Sequence, residues 1–221
     1  MYKVIDNPTA LLFRYLSISI VFMFIGFLVG EIFIPPQIVY YANIMIGILG
    51  LFFIVLALFS RKMIIPRSFS MNYVYLFTFI DGILMYPIFQ FYLADLGTGV
   101  FLSIVAGTAI WFLILSFFSY KKESGYFFGF ARYLLPALLA LTVVSLINIF
   151  IGSPKIYIFL SLASVAIFSG YILYDVNLVK YEIENGYINN KNDLSIHILN
   201  LYLDFINILL DLLNLASFFD D

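Results

Sequence analysis

Long apolar runs succeed one another along the chain, broken by short polar or Gly/Pro segments. A helix crosses the hydrocarbon of a bilayer with about 20 apolar residues. The stretches 38–60, 96–120, 130–152 and 156–179 meet this with few or no charges, and 12–34, 73–94 and 194–216 qualify while carrying isolated ones. Breaks fall at Pro35-Pro36, from Arg61 to Arg67, at Gly97, from Lys121 to Gly125, at Gly152-Ser153-Pro154, and from Lys180 to Asp193. The pattern predicts an all-α integral membrane protein of seven transmembrane helices, a single domain over residues 1–221. The last segment is polar enough that re-entry competes with a full crossing.

Composition agrees. Of 221 residues, 64% are hydrophobic and 11% charged, against roughly 25% charged in a soluble domain. So few charges cannot cover a water-facing surface. The net charge of -2 gives no nucleic-acid footprint, and the absence of cysteine excludes thiolate chemistry. A lone histidine, His197, argues against a histidine-ligated metal. The first apolar run lacks a small-residue cleavage site and reads as a retained span.

Basic residues set the orientation. With the N-terminus inside, Lys3, Arg14, Arg61, Lys62, Arg67, Lys121, Lys122, Arg132, Lys180 and Lys191 are cytoplasmic, and only Lys155 is external. Seven crossings then place the C-terminus outside. Gly26 and Gly30 form a small-xxx-small pair suited to close helix packing, and Gly47 is a candidate for the same role in the second span.

The last span carries a polar stripe. His197, Asn200, Asp204, Asn207, Asp211 and Asn214 recur in steps of three and four, an arc of roughly 100° at about 100° per residue. At about 1.5 Å rise the stripe runs about 26 Å. One mid-helix aspartate costs about 2.5–3.5 kcal/mol against lipid, so the stripe faces other helices or water. It reads either as a hydrogen-bonded seam or as the wall of a hydrated pathway. His197, at the cytoplasmic end, reads as an interfacial residue.

Asp175 lies near the cytoplasmic end of the sixth span and Asp204 in the inner half of the seventh. The two helices run antiparallel, so the carboxylates could meet. Two carboxylates together cannot both stay ionised cheaply, and they titrate as one unit. Such a pair is a proton sensor. It is also partial oxygen ligation for calcium, which takes about 6–8 oxygens, with carbonyls, water, Asn177 or Asn207 supplying the rest. The competing reading satisfies each carboxylate separately with Arg61, Lys180 or Arg132. Asp81, near the middle of the third span, lines the same cavity or bonds locally to Thr78 or Tyr75. Glu31 and Asp95, at outer ends, read as solvated.

At these residues the sequence resembles the Bax inhibitor-1 family, the transmembrane Bax-inhibitor-motif proteins. The likeness rests on Asn200-Leu-Tyr-Leu-Asp204-Phe-Ile-Asn207 and on Gly170-Tyr-Ile-Leu-Tyr174-Asp175-Val-Asn177. It rests also on Phe77-Thr-Phe-Ile-Asp81-Gly-Ile-Leu-Met-Tyr-Pro87 and Ala106-Gly-Thr-Ala. The resemblance covers nearly the whole chain and implies a bacterial member of the family, in keeping with the high Phe, Ile, Asn and Lys usage. It implies six helices surrounding a central, polar seventh. It also implies a pH-sensitive calcium leak in which Asp175 and Asp204 are the paired sensor and Arg61 latches the seventh-helix aspartate. Some relatives carry an acidic residue in the second span where this chain has Gly47-Ile-Leu-Gly50. Asp81 and Asp211 then stand as substitutes along the path, with Asn200, Asn207 and Asn214.

The expected function is a calcium-permeable leak channel of the plasma membrane, gated by protonation, without catalytic residues or a cofactor. Its partners are the bilayer, calcium and protons. Proton-coupled calcium exchange uses the same carboxylates. A regulator acting through a membrane protease or cell-death partners is the reading of another class. An intramembrane aspartyl protease fits poorly, because Asp204 follows Leu-Tyr-Leu and the Pro136-Ala-Leu138 string precedes both aspartates.

Overall fold

The computed structural model describes residues 8–59 and 68–220, and among them every regular element is helical. The helices are α1 (Pro8–Phe33), α2 (Pro36–Phe59), α3 (Met71–Lys121), α4 (Ala131–Ile151), α5 (Pro154–Glu184) and α6 (Ser195–Asp220), with a 3-10 turn at Phe128–Phe130 before α4. Five of them, α2 apart, are long and apolar enough to cross a membrane by length and composition among the described residues. Nothing is described of the α2 side chains from 48 onward. Large apolar side chains lie exposed along the helices, Ile149, Phe150 and Phe159 among them, as a lipid-facing surface requires.

The 51 residues of α3 would reach about 76 Å as one straight helix, more than twice the roughly 30 Å of hydrocarbon. The helical path breaks at Gly97, with φ 74 and ψ 160. That backbone region is open essentially to glycine alone. The break divides α3 into segments 71–96 and 98–121, near the expected spans.

The chain forms two compact units. One comprises residues 1–91 and 189–198, the other 92–188 and 199–221. In the first, α1 lies against the first segment of α3 through glycines. A methyl group at Gly26 would collide with the Phe79 carbonyl, and one at Gly82 with the Met23 carbonyl. Gly30 lies under the Tyr86 ring, whose hydroxyl donates to the Ile34 carbonyl. Asn43 ties α2 to this segment by donating to the Leu84 carbonyl at 3.0 Å. A methyl group at Gly47 would meet nothing within 4 Å among the described residues, so the close packing expected there is not seen among them. The start of α3 is held by side chains just ahead of and at the start of α6: Met71 N–H donates to Asn192 Oδ1 at 3.3 Å and Phe69 N–H to Ser195 Oγ at 2.9 Å.

In the second unit α4, α5, α6 and the second segment of α3 pack together. Gly170 lets the Leu134 side chain of α4 approach α5. Trp111 donates to Ser169 Oγ at 3.0 Å and Ser119 to the Leu173 carbonyl at 2.6 Å. The Phe112 and Phe205 rings meet edge to face at 6.1 Å. Of the five apolar windows, that of α6 is 56% buried, against 6 to 33% in the others. Leu201, Tyr202, Phe205, Ile208 and Leu209 are buried as fully as Asp204. Most apolar positions of this helix are therefore packed along with the stripe, while Leu203, Phe218 and Phe219 are exposed.

Candidate functional site

The buried face of α5 carries Ser161, Ser164, Phe168, Ile172, Asp175 and Val179. On a helix these positions fall within roughly 80° of one another. The facing stripe of α6 carries Asp204, Asp211 and Asn214. The two meet in pairs along an antiparallel seam, giving two polar levels.

At the inner level the carboxyls of Asp175 and Asp204 face each other within hydrogen-bonding reach, and each residue is 5% exposed. Asp204 Oδ2 is buried and accepts no hydrogen bond among the described residues. Helix α5 continues to Glu184, about 13 Å beyond Asp175 by helix rise and past the expected end of the sixth span at 179. Tyr171, one turn from Asp175, feels both carboxyls.

The reading of two separately paired carboxylates does not hold for Lys180 or Arg132. Lys180 Nζ donates to the carbonyls of Tyr120 and Lys122, at 3.2 and 2.7 Å, and lies 3.9 Å from Glu184 Oε1. Arg132 stacks over the Tyr133 ring at 4.6 Å. Arg61 lies outside the described residues.

The two asparagines weighed as extra oxygen ligands are engaged elsewhere. Asn177 donates to the carbonyls of Glu123 at 3.0 Å and Ser119 at 3.4 Å, and its Oδ1 accepts from Phe127 N–H at 3.4 Å. It pins the 121–127 loop. Asn207 donates to the Leu203 carbonyl of its own helix at 2.7 Å. Among the described residues, no three His, Cys, Asp or Glu side chains cluster as a metal site.

The outer level, about 10 Å further along α6, was not anticipated as a unit. Asp211 lies within hydrogen-bonding reach of the Ser164 and Ser161 hydroxyls, and Asn214 donates to Ser161 Oγ at 2.9 Å. These groups line a cavity of about 710 Å³ between α4, α5 and α6. Near the end of α6, Ser217 donates to Asp95, so that carboxylate has a protein partner as well as exposure. Asn200 is half-buried, and His197, read as interfacial, is buried. Asp81, in the first unit, is half-buried, and Thr78 donates to the Tyr75 carbonyl at 3.2 Å.

A family model described as inhibitor of apoptosis-promoting Bax1 matches residues 9–221. An uncharacterized protein of Helicobacter pylori strain ATCC 700392 / 26695 is 32% identical over 146 residues, 66% of this chain and 60% of its own. An uncharacterized membrane protein of Vibrio cholerae serotype O1 is 31% identical over 147 residues, 66% of this chain and 65% of its own. One from Streptococcus pyogenes serotype M3 is 35% identical over 120 residues, 53% of this chain and 51% of its own. The chain thus spans about 60% of the length of the first curated relatives it matches.

Proposed function

The chain belongs to the Bax inhibitor-1 family of membrane proteins, and from that premise we propose that it is a pH-sensitive, calcium-permeable leak channel. Its gate is the Asp175–Asp204 pair with Arg61. It spans the plasma membrane as one seven-helix domain, with the N-terminus cytoplasmic, the C-terminus external and α6 at the centre. The bilayer, calcium and protons are its partners.

The observation that carries the reading is the apposition of two buried carboxyls on neighbouring helices. Two ionised carboxylates repel and have no proton to share; a protonated one donates to the other. Occupancy of this site by a proton therefore changes sign from repulsion to attraction between α5 and α6. Without the proton, Asp204 turns to Arg61 and the path is shut. With it, Asp204 is held by Asp175, the latch is released and calcium passes. Asp204 Oδ2, buried and without a donor among the described residues, is the atom left for the latch or for calcium in transit. Each tenfold difference in proton affinity between the closed and open forms biases the gate by about 1.4 kcal/mol. A gate with a few kcal/mol between its states responds to that. Asn200, Asn207, Asp211, Asn214 and Asp81 line the path.

The test is calcium flux into liposomes as a function of pH. Flux rises as pH falls in the unaltered protein, and Asp204→Asn flattens that dependence. An unchanged pH profile in Asp204→Asn rules out the gate. A proton gradient that drives calcium uphill would assign the same carboxyls to exchange instead of leak.

A further inference from the structure

The cavity between α4, α5 and α6 is a different kind of place from the buried pair. Its base is polar: Asp211, Asn214, Ser161 and Ser164. Its walls are apolar, with Leu141 and Leu160 inside and the exposed Ile149 and Phe218 at the rim.

Asn214 donates to Ser161 Oγ, and the hydroxyls of Ser161 and Ser164 lie against Asp211. The loop at the rim is closed on itself: Asn148 accepts from Ser153 N–H at 3.2 Å and donates to the Ser153 carbonyl at 3.3 Å, and Tyr157 N–H takes the same carbonyl at 3.1 Å. A carboxylate accepts at about four lone-pair sites and, ionised, donates nothing, and the amide oxygen of Asn214 adds acceptor capacity. An anion would meet the Asp211 carboxylate with no Lys, Arg or His among the lining residues to offset it. A cation would find that one negative group flanked by two serine hydroxyls.

Size decides between a bare ion and an organic cation. Calcium is held by about 6–8 oxygens at about 2.3–2.6 Å, a cage far tighter than this space. The volume of about 710 Å³ lies in the range of small-molecule sites, roughly 300–1,000 Å³. We propose that this cavity binds an amphipathic ammonium compound, its charged head on Asp211 and Asn214 and its apolar chain along Leu141, Leu160 and the rim. An ammonium brings three donors and no acceptor, which matches the base. The same chemistry is presented by a free alkylamine and by the amine headgroup of a phospholipid. The site does not require that the protein conduct calcium.

The chain has no cysteine, so a thiol placed in the cavity reports on it alone. Ser145→Cys, on the α4 wall, is reconstituted in phosphatidylglycerol bilayers and its modification by a maleimide is timed. Hexylammonium slows the reaction about tenfold or more at saturation, whereas hexanol of the same chain length does not, and Lys191→Cys outside the cavity is unaffected. Adding Asp211→Asn removes the protection by hexylammonium. The comparison of amine with alcohol stands without that second substitution, should it fail to fold. Protection already present in bilayers containing phosphatidylethanolamine, without added amine, assigns the site to the lipid headgroup. Protection only on adding hexylamine assigns it to a free amine. Equal protection by hexanol and hexylammonium, or none by any amine, overturns the proposal. Calcium flux is not the readout, so a failure of the leak reading leaves this result standing.

Discussion

Asp204 and Asp175 bring their carboxyls together, with each side chain almost wholly withdrawn from solvent. A hydrogen bond between them needs a proton, because an ionised carboxylate is an acceptor only. The infrared spectrum of the reconstituted protein is expected to hold a protonated-carboxyl component at neutral pH. Replacing both residues by Asn removes that component, and Asp193→Asn in the loop leaves it. A double variant with an unaltered carboxyl band would refute the shared proton. Asp175→Ala should also cost more stability than Asp175→Asn, by about 1–3 kcal/mol, because alanine leaves the facing carboxyl without a partner.

The break in α3 rests on one residue. At φ 74 and ψ 160, a side chain on residue 97 meets its own backbone, and Gly97→Ala is expected to destabilise the protein by about 1–3 kcal/mol. Gly99→Ala is the matched control. It lies in the following helical segment with no atom within 4 Å of an added methyl, and alanine is favoured over glycine in a helix by about 0.8–1.0 kcal/mol. Thermal unfolding in detergent should therefore move in opposite directions for the two. Equal shifts would mean that the backbone at 97 is free to regularise.

The long apolar helices were legible because lipid imposes a length and tolerates few charges, and Gly97 was legible as a break for the same reason. Half of the α5–α6 seam was legible too. Asp204, Asp211 and Asn214 stand out because such residues are costly in lipid. Their partners Ser161 and Ser164 did not stand out, since a serine in an apolar helix can satisfy itself on the carbonyl four residues back. The missed signal was phase: both serines fall on the same face of α5 as Asp175. The amides of Asn177 and Asn207 were weighed as ion ligands, yet they bond to backbone carbonyls. Spacing places an amide on a face but does not say which neighbour it reaches. Gly26 and Gly47 looked alike in sequence; only the first meets another backbone.

That contact makes a sharp packing prediction. Gly26 and Gly82 oppose each other's helix, each against a backbone carbonyl that cannot rotate away. Gly26→Ala and Gly82→Ala should each lower stability by about 1–3 kcal/mol through overpacking. Once one methyl has pushed the helices apart, the second meets less resistance, so the double variant should fall short of the sum. Gly47→Ala, in open space, should be neutral or mildly stabilising. Additive losses in the double variant would mean that the two glycines pack independently.

Orientation can be read with the same cysteine-free background. Ten of the eleven basic residues fall on one side if the N-terminus is cytoplasmic, and that bias sets topology during insertion. Lys155 and Lys121 are both exposed, one just after the α4–α5 turn and the other at the end of α3. In intact cells, Lys155→Cys should react with a membrane-impermeant maleimide and Lys121→Cys should not, while a permeant reagent labels both. Because both positions are solvent-exposed in the fold, a difference between them reports the membrane and not burial. The reverse pattern would invert the protein, and with it the side from which protons reach Asp175 and Asp204.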